Sequence, residues 1–174
     1  MNLDELYATH AETVYNLALH YTQRPEDAEE VTQDVFLRVH ERMGQFKGAA
    51  SAKTWITRIA INASLDFLRK KSRIKRGGGT IVRSLDDSQR ETALHDFDHP
   101  GYALEQREAV ANIYRALNRL PPKQKTAIIL LKVEGRSQAE TAELMNTTTK
   151  AVESLFQRGK RALRSLLGSA HRDS

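Results

Sequence analysis

The sequence predicts an all-α protein made of two small helical domains joined by a flexible linker. Apolar residues recur at three- and four-residue steps over most of the chain, which is the spacing of one face of a helix. No segment alternates apolar and polar residues as a half-buried strand does. The helical spacing fades once, over residues 77–101. A chain of 174 residues is long enough to form two small hydrophobic cores. We therefore expect domains at 1–73 and 104–174 and a linker at 74–103.

Three helices are predicted in the first domain. The first covers residues 3–21, where leucine, valine and tyrosine recur at helical spacing. The second covers about 25–43, because Pro25 suits the first turn of a helix and the two acidic residues after it favour the positive N-terminus. The third covers about 51–71, with two apolar stripes that indicate helices packed on both of its sides.

The predicted linker begins with three glycines and reverses the charge of its surroundings. Five acidic residues face two arginines between Gly77 and Gly101. The segment His95–His99 is the one cluster that resembles metal ligands, and no phosphate-binding loop or nucleophile motif accompanies it. We expect no metal, no cofactor and no catalytic residue, with a helical nuclease as the enzyme alternative.

Helical spacing returns at Leu104 and stops at Pro121-Pro122. It resumes to Gly135, a residue suited to end a helix. The segment Ser137–Glu140 has the form of a capping box and predicts a short helix that ends at Asn146. A last helix then covers about 149–167. A short capped helix, a tight turn and a longer helix are the outline of a helix-turn-helix, the unit that places its second helix in the DNA major groove.

The last helix has one apolar side and one basic side. The basic side carries five cations, one anion and two uncharged polar residues, which suits contact with phosphates and base edges. The plainer interpretation is a solvated helix whose cations complement its dipole. We expect DNA contacts from five residues: Lys150, Ser154, Gln157, Arg158 and Arg161.

The first domain holds two further candidate surfaces. Helical projection places Leu37 opposite the buried seam of the second helix, which indicates a protein partner or an ordinary exposed leucine. Seven cations against Asp66 occupy residues 58–76, a density that suits a phosphate backbone. The loop that precedes this helix runs from Phe46 and ends near Trp55. Its aromatic rings are suited to hold an unstacked base of single-stranded DNA; the alternative is that the rings of Phe46 and Trp55 belong to the core.

Composition narrows the class of protein. The formal net charge is +5, from 27 Lys+Arg and 22 Asp+Glu, and cysteine is absent. Disulfide scaffolds, thiolate metal sites and thiol catalysis are thereby excluded. No signal peptide follows Met1, and no stretch approaches the roughly 18 apolar residues that span a bilayer. We expect a soluble cytoplasmic protein without membrane insertion.

Together these segments resemble a known family. PEDAEEVTQDVFLRV at 25–39, TWITRIAIN at 54–62 and LDFLR at 65–69 resemble the second conserved region of bacterial RNA polymerase sigma factors, in the extracytoplasmic-function group of the sigma-70 family. LPPKQ at 120–124 and the helix-turn-helix after it resemble the family's fourth region. The resemblances follow in the family's order and cover nearly all of the chain except the linker.

The resemblance implies a transcription initiation factor, not an enzyme, that binds core RNA polymerase and two promoter elements. Binding to the clamp of the largest subunit is implied for Gln33, Asp34, Phe36, Leu37 and Arg38. Opening of the minus-ten element, with capture of a flipped base, is implied for Phe46, Lys53, Trp55, Arg58, Asn62, Arg69 and Arg73. The last helix would read the minus-thirty-five element, and the second domain would contact the flap of the second largest subunit.

The resemblance further implies an anti-sigma factor as partner and a linker that runs toward the active centre of the polymerase. A free-standing helix-turn-helix regulator, with an N-terminal dimerisation or sensing domain, is the alternative function. The chain also departs from the family. A basic residue is common where Glu153 stands, arginine at Leu155, glycine at Asn146 and isoleucine at Thr141. The family's promoter sequence is therefore not carried over.

Overall fold

The computed structural model describes the backbone of residues 1–77 and 104–170, and all regular structure in these ranges is helical. The chain divides into two units, Met1–Asp98 and His99–Ser174. The all-α prediction is confirmed. The predicted linker, with the segment His95–His99, lies outside the described residues apart from 74–77, which are helical.

The first unit is a three-helix bundle in which every helix packs on the other two. Helix α1 spans Leu3–Thr22, α2 spans Pro25–Arg42 and α3 spans Ala52–Gly77, with a 3-10 turn at Met43–Gln45. Pro25 opens α2 as the sequence predicts. Helix α3 extends six residues beyond the predicted end, because no helix-breaking residue occurs before Gly77.

The core of this bundle is formed by the predicted apolar seams. Leu17 and Tyr21 of α1, Val31 and Val35 of α2 and Ile56 of α3 are among the largest fully buried side chains. Burying one such side chain contributes about 1.5–3 kcal/mol relative to leaving it in water. The seam therefore fixes which side of each helix faces inward and which side remains for solvent or partners.

The second unit places three shorter elements against one long helix. Helix α4 spans Leu104–Asn118 and α5 spans Pro122–Ile128. A π-helical turn at Ile129–Val133 continues α5, with a hydrogen bond from the Glu134 amide to the Ile129 carbonyl (2.9 Å). Helix α6 spans Gln138–Leu144 and α7 spans Thr149–Ala170. Helices α4, α5 and α6 each pack on α7.

The helix-turn-helix has the capping chemistry that the sequence predicts. Ser137 and Glu140 form the reciprocal capping box of α6. Asn146 occupies the left-handed conformation (φ 53°) in the turn, and the Thr148 hydroxyl accepts a hydrogen bond from the Ala151 amide (3.1 Å) at the start of α7. These local hydrogen bonds set where α6 and α7 begin, and Asn146 allows the chain to turn between them.

Two buried positions set the packing around α7. Gly159 is buried, and a β-carbon there would lie 2.7 Å from Cδ1 of Ile128, so glycine permits the close approach of α7 to α5. Thr141 is fully buried in α6, and within the described part of the chain its hydroxyl oxygen has no hydrogen-bond partner. Burying an unpaired hydroxyl costs about 1–3 kcal/mol, a cost that an apolar side chain at this position would avoid.

Within residues 1–77 and 104–170, no helix is both long and apolar enough to cross a bilayer.

Lys125 is a buried cation in the core of the second unit. Lys125 belongs to α5 and is only 3 % exposed, and its Nζ donates a hydrogen bond to Oδ1 of Asn118 (2.6 Å). Burial penalises the ammonium and lowers the pKa of Lys125 from 10.5 to about 8. The native unit therefore holds a charge that water would solvate better.

The sign of the resulting pH dependence follows from proton binding. Between about pH 8 and pH 10.5, unfolded Lys125 keeps its proton and native Lys125 has lost it. The unfolded state then binds more protons, so the free energy of unfolding rises with pH, by up to about 1.4 kcal/mol per pH unit. Below pH 8 both states are protonated, and the full cost of burial is present.

We expect Lys125→Met to raise the free energy of unfolding of the second unit at pH 7 by on the order of 2 kcal/mol, because it removes the buried charge. The difference from wild type should shrink as pH rises from 8 to 10. Chemical denaturation followed by far-ultraviolet circular dichroism measures both effects. Lys123→Met, at an exposed position of the same helix, is the control. A difference that is the same at pH 7 and pH 10 would contradict the assignment.

Candidate protein and nucleic-acid interfaces

The side of α2 that faces away from the core is an arc of polar residues around one leucine. Leu37 is 63 % exposed, although large apolar side chains are usually buried. Gln33 is exposed beside it, and Asp34 and Arg38 are half-buried farther round the helix. The arc is defined here as Gln33, Asp34, Leu37 and Arg38. It offers an apolar contact with both charge signs next to it, which suits a protein partner.

One edge of the arc is closed by an aromatic contact. Phe36, which the sequence analysis grouped with the arc, is only 7 % exposed. Its ring meets Tyr7 of α1 edge to face, with the ring centroids 4.8 Å apart. Tyr7 itself is 53 % exposed. The helical spacing of residues 3–21 counts Tyr7 among the apolar positions of α1, so the sequence did not predict an exposed tyrosine here. No signal in one sequence pairs Tyr7 with Phe36.

The other edge of the arc is joined to α3 by ion pairs. The guanidinium of Arg38 contacts Asp34 (2.9 Å) and Asp66 (3.0 Å), and Asp66 also contacts Arg69 (2.6 Å). Burial alone would lower the pKa of Arg38, but hydrogen bonds and charge from the two carboxylates outweigh it and raise that pKa. These four residues form one network from α2 to α3.

Helix α3 presents the predicted basic row. Asn62, Arg69 and Arg73 are exposed and Arg58 is half-buried, and all four project to one side of the helix. Lys71 projects from another side of α3, where its Nζ pairs with Asp27 of α2 (2.6 Å). The row therefore offers guanidinium groups and one amide to a ligand, which is chemistry suited to phosphates and a base edge.

An aromatic pair stands at the start of the same row. The rings of Phe46 and Trp55 lie 4.9 Å apart at 37°, and both residues are half-buried. The sequence left open whether these rings hold a base or belong to the core. The structure places them between these cases, since each ring is partly packed and partly accessible.

Lys53 projects from the opposite side of α3. Its charge, together with the larger effect of burial, lowers the pKa of His10 in α1.

Helix α7 separates an apolar side from a polar one. Val152 is fully buried and Gly159 is buried on the inner side. The five residues predicted to contact DNA are all exposed on the other side: Lys150, Ser154, Gln157, Arg158 and Arg161. Arg158 donates a hydrogen bond from Nη2 to Oγ of Ser154 (2.9 Å), so these two side chains are already oriented together. In the described residues, no cluster of carboxylates and histidines is arranged to hold a metal ion.

Two family models match this chain. The model described as Sigma-70 region 2 matches residues 6–74, and the model described as Sigma-70, region 4 matches residues 111–163. The first match contains the α2 arc and the α3 row. The second contains the helix-turn-helix through most of α7.

Curated relatives match over nearly the whole chain. The "ECF RNA polymerase sigma factor SigX" of Bacillus subtilis is 30% identical over 160 residues, covering 91% of this chain and 80% of the relative. SigM of Mycobacterium tuberculosis is 29% identical, over 95% of this chain and 76% of the relative. SigE of Mycolicibacterium smegmatis is 29% identical, and the match spans 94% of this chain but 61% of that relative's length.

Solved structures share the fold. The sigma factor RpoE from Bartonella quintana, in complex with the anti-sigma factor NepR, matches with a TM-score of 0.63 at 19% identity, over 95% of this chain and 96% of that chain. CnrH, in complex with the cytosolic domain of CnrY, matches with a TM-score of 0.64 at 21% identity, over 96% of this chain and 88% of that chain.

The network around Asp66 yields a stability prediction. Asp66→Asn keeps the shape of the side chain but removes the negative charge that contacts both Arg38 and Arg69. We therefore expect the free energy of unfolding of the first unit to fall by about 1 kcal/mol. Asp34→Asn should lose less than half as much, because Arg38 keeps Asp66. Denaturation followed by the fluorescence of Trp55, the single tryptophan, reports on this unit. Equal losses in both variants would show that Asp66 is not the centre of the network.

Proposed function

The chain belongs to the extracytoplasmic-function group of the sigma-70 family, whose members are non-enzymatic transcription initiation factors, and we propose that it directs core RNA polymerase to the promoters of a specific set of genes. The observation that carries this proposal is the joint match to region 2 and region 4, in that order, along one chain. A free-standing helix-turn-helix regulator is not favoured, because that function leaves the match over 6–74 unexplained.

The α2 arc is proposed as the surface that docks on the clamp of the largest polymerase subunit. An exposed leucine beside the Asp34–Arg38 ion pair supports this, because apolar contacts inside a polar rim are typical of protein interfaces. Phe36 lies at one edge of the arc, where it is buried and packs edge to face with Tyr7, so it supports the shape of this surface. Tyr7 extends the accessible surface beyond the arc. The second unit is proposed to contact the flap of the second largest subunit.

The α3 row is proposed to bind the minus-ten element. Arg58, Arg69 and Arg73 supply charge for the DNA backbone, and Asn62 supplies an amide that can bond a base edge. The partly accessible pair of Phe46 and Trp55 supports capture of an unstacked base, since base–aromatic stacking contributes about 1–3 kcal/mol. Lys53 lies on the opposite side of α3, so within this proposal it contributes charge and not a base contact.

Helix α7 is proposed to read the minus-thirty-five element. Its five exposed candidates share one side of the helix that follows the turn, which is the helix that enters the major groove in this motif. The Ser154–Arg158 hydrogen bond supports a preorganised reading group, because an oriented side chain loses less entropy on binding. Which of the five reach bases and which reach phosphates depends on the promoter.

An anti-sigma factor is the further partner we propose. The relative RpoE was solved with such a partner, and the present chain has that fold. Because the sequence has no cysteine, the thiols of any thiol-based redox sensor would have to belong to the partner. We propose that the protein acts in the cytoplasm, where the polymerase and the chromosome are found. The acidic linker is proposed to run toward the active centre of the polymerase.

The α2 arc is tested by Leu37→Asp. The substitution places a charge where an apolar contact is proposed, so we expect affinity for purified core polymerase to fall by roughly tenfold or more. Ile74→Asp makes the same change at another exposed residue of the first unit and should bind normally. Co-elution in gel filtration and fluorescence titration measure the affinity without DNA. Normal binding by Leu37→Asp would show that the polymerase binds another surface of this chain. If the wild-type protein does not bind core polymerase, the proposed function is refuted.

The α7 surface is tested by Arg158→Ala. Loss of a guanidinium at the DNA surface should reduce promoter-dependent transcription by roughly tenfold, with core binding unchanged. Arg119→Ala, which removes an exposed arginine near the end of α4, should leave transcription unchanged. Run-off transcription with the reconstituted holoenzyme, together with core-binding titration, separates the two effects. If the two variants are equally active in transcription, Arg158 does not contact the promoter DNA.

A further inference from the structure

Glu153 is the one acidic residue on the polar side of α7. Lys150, Arg158 and Arg161 share that side, with Lys160 and Arg164 farther along the helix. Glu153 is exposed, and within the described residues it makes no ion pair with any of these cations. Its carboxylate is therefore neither neutralised by a neighbour nor used to hold α7 in the fold.

A carboxylate in this place is costly if the surface contacts only phosphates. DNA carries one negative charge per about 1.7 Å of its axis, and proteins bind it by bringing cations to that backbone. A basic residue at this position would add to that attraction, whereas Glu153 opposes it. The residue needs a compensating contact if α7 lies in a groove.

The position of Glu153 on α7 directs it toward base edges. It is the fifth residue of the helix, and in a helix-turn-helix the N-terminal residues of the second helix contact the bases. Lys150 and Gln157 lie three residues before and four residues after it, so the three side chains share one strip of the helix surface. Two of the three are already proposed as DNA contacts.

Base chemistry then selects one nucleotide. An ionised carboxylate only accepts hydrogen bonds, and in the major groove guanine presents two acceptors and thymine an acceptor and a methyl group. Adenine offers an amino group, but its N7 acceptor lies beside that group and repels a second carboxylate oxygen. Cytosine offers its N4 amino group without this neighbour on its own edge.

We propose that Glu153 is a specificity-determining residue that accepts a hydrogen bond from the N4 amino group of a cytosine in the minus-thirty-five element. This inference rests on the proposed function, because it requires α7 to read promoter DNA.

Glu153→Gln and Glu153→Ala test the inference in the full chain. Each variant is combined with core polymerase and transcribes a pool of templates with randomised upstream sequence, and the transcripts are sequenced. Wild type should enrich cytosine at one position of the minus-thirty-five element. Glu153→Gln should shift that position toward adenine, which glutamine bonds through N6 and N7, and Glu153→Ala should lower the cytosine preference by roughly tenfold. Preferences at the other positions should not change.

The control is Glu108→Gln, which removes the same charge from an exposed position of α4 and should leave every preference intact. An equal gain on all templates for the Glu153 variants would mean that Glu153 only repels phosphates, and would overturn the inference. The inference is also overturned if, at every promoter position where the Glu153 variants change the base preference, the wild-type protein prefers a base other than cytosine. If wild type transcribes but shows no preference anywhere in the minus-thirty-five element, the proposed role of α7 fails as well.

Discussion

Burial of one side of α2 is the constraint on which the candidate surfaces of the first unit depend. Val31, Val35 and Val39 are fully buried, so α1 and α3 cover one side of the helix completely. A rigid helix that buries one side must present the other, and Leu37 cannot turn inward without breaking that seam. The α2 arc is thus a consequence of the core. The same reasoning applies to α7, where buried Val152 and Gly159 leave the basic side outward.

The ion-pair network gives the first unit a second property. Arg38 belongs to the α2 arc and Arg69 to the α3 row, and both contact the carboxylate of Asp66. The surface proposed for the polymerase and the surface proposed for the minus-ten element therefore share one anion. Exposed ion pairs contribute little to stability, about 1 kcal/mol or less each, so the value of this network lies in orienting the two arginines. The packing of the helices positions the two surfaces, and the contacts with Asp66 orient the guanidinium groups of Arg38 and Arg69.

Much of the candidate site could be predicted from the sequence because helical periodicity is local. The row on α3, the exposed leucine of α2 and the basic side of α7 all follow from the spacing of residues along one helix. Contacts between helices were not accessible in the same way. The ring of Tyr7 over Phe36, the placement of Lys53 near His10 and the half-burial of Trp55 depend on which helices meet and at what angle, which one sequence does not encode in its spacing.

The sequence by itself determined where most of the helices lie, how the helix-turn-helix is capped and which residues form the buried seams. The capping box at Ser137, the left-handed turn at Asn146 and the start of α2 at Pro25 are set by hydrogen bonds and steric limits within a few residues. Tertiary structure alone decided which polar groups are shared or buried. Asp66 joins two helices, and Lys125 carries its amine into a core where burial lowers the pKa to about 8. These outcomes depend on desolvation and on distances between elements, which exist only once the helices have packed.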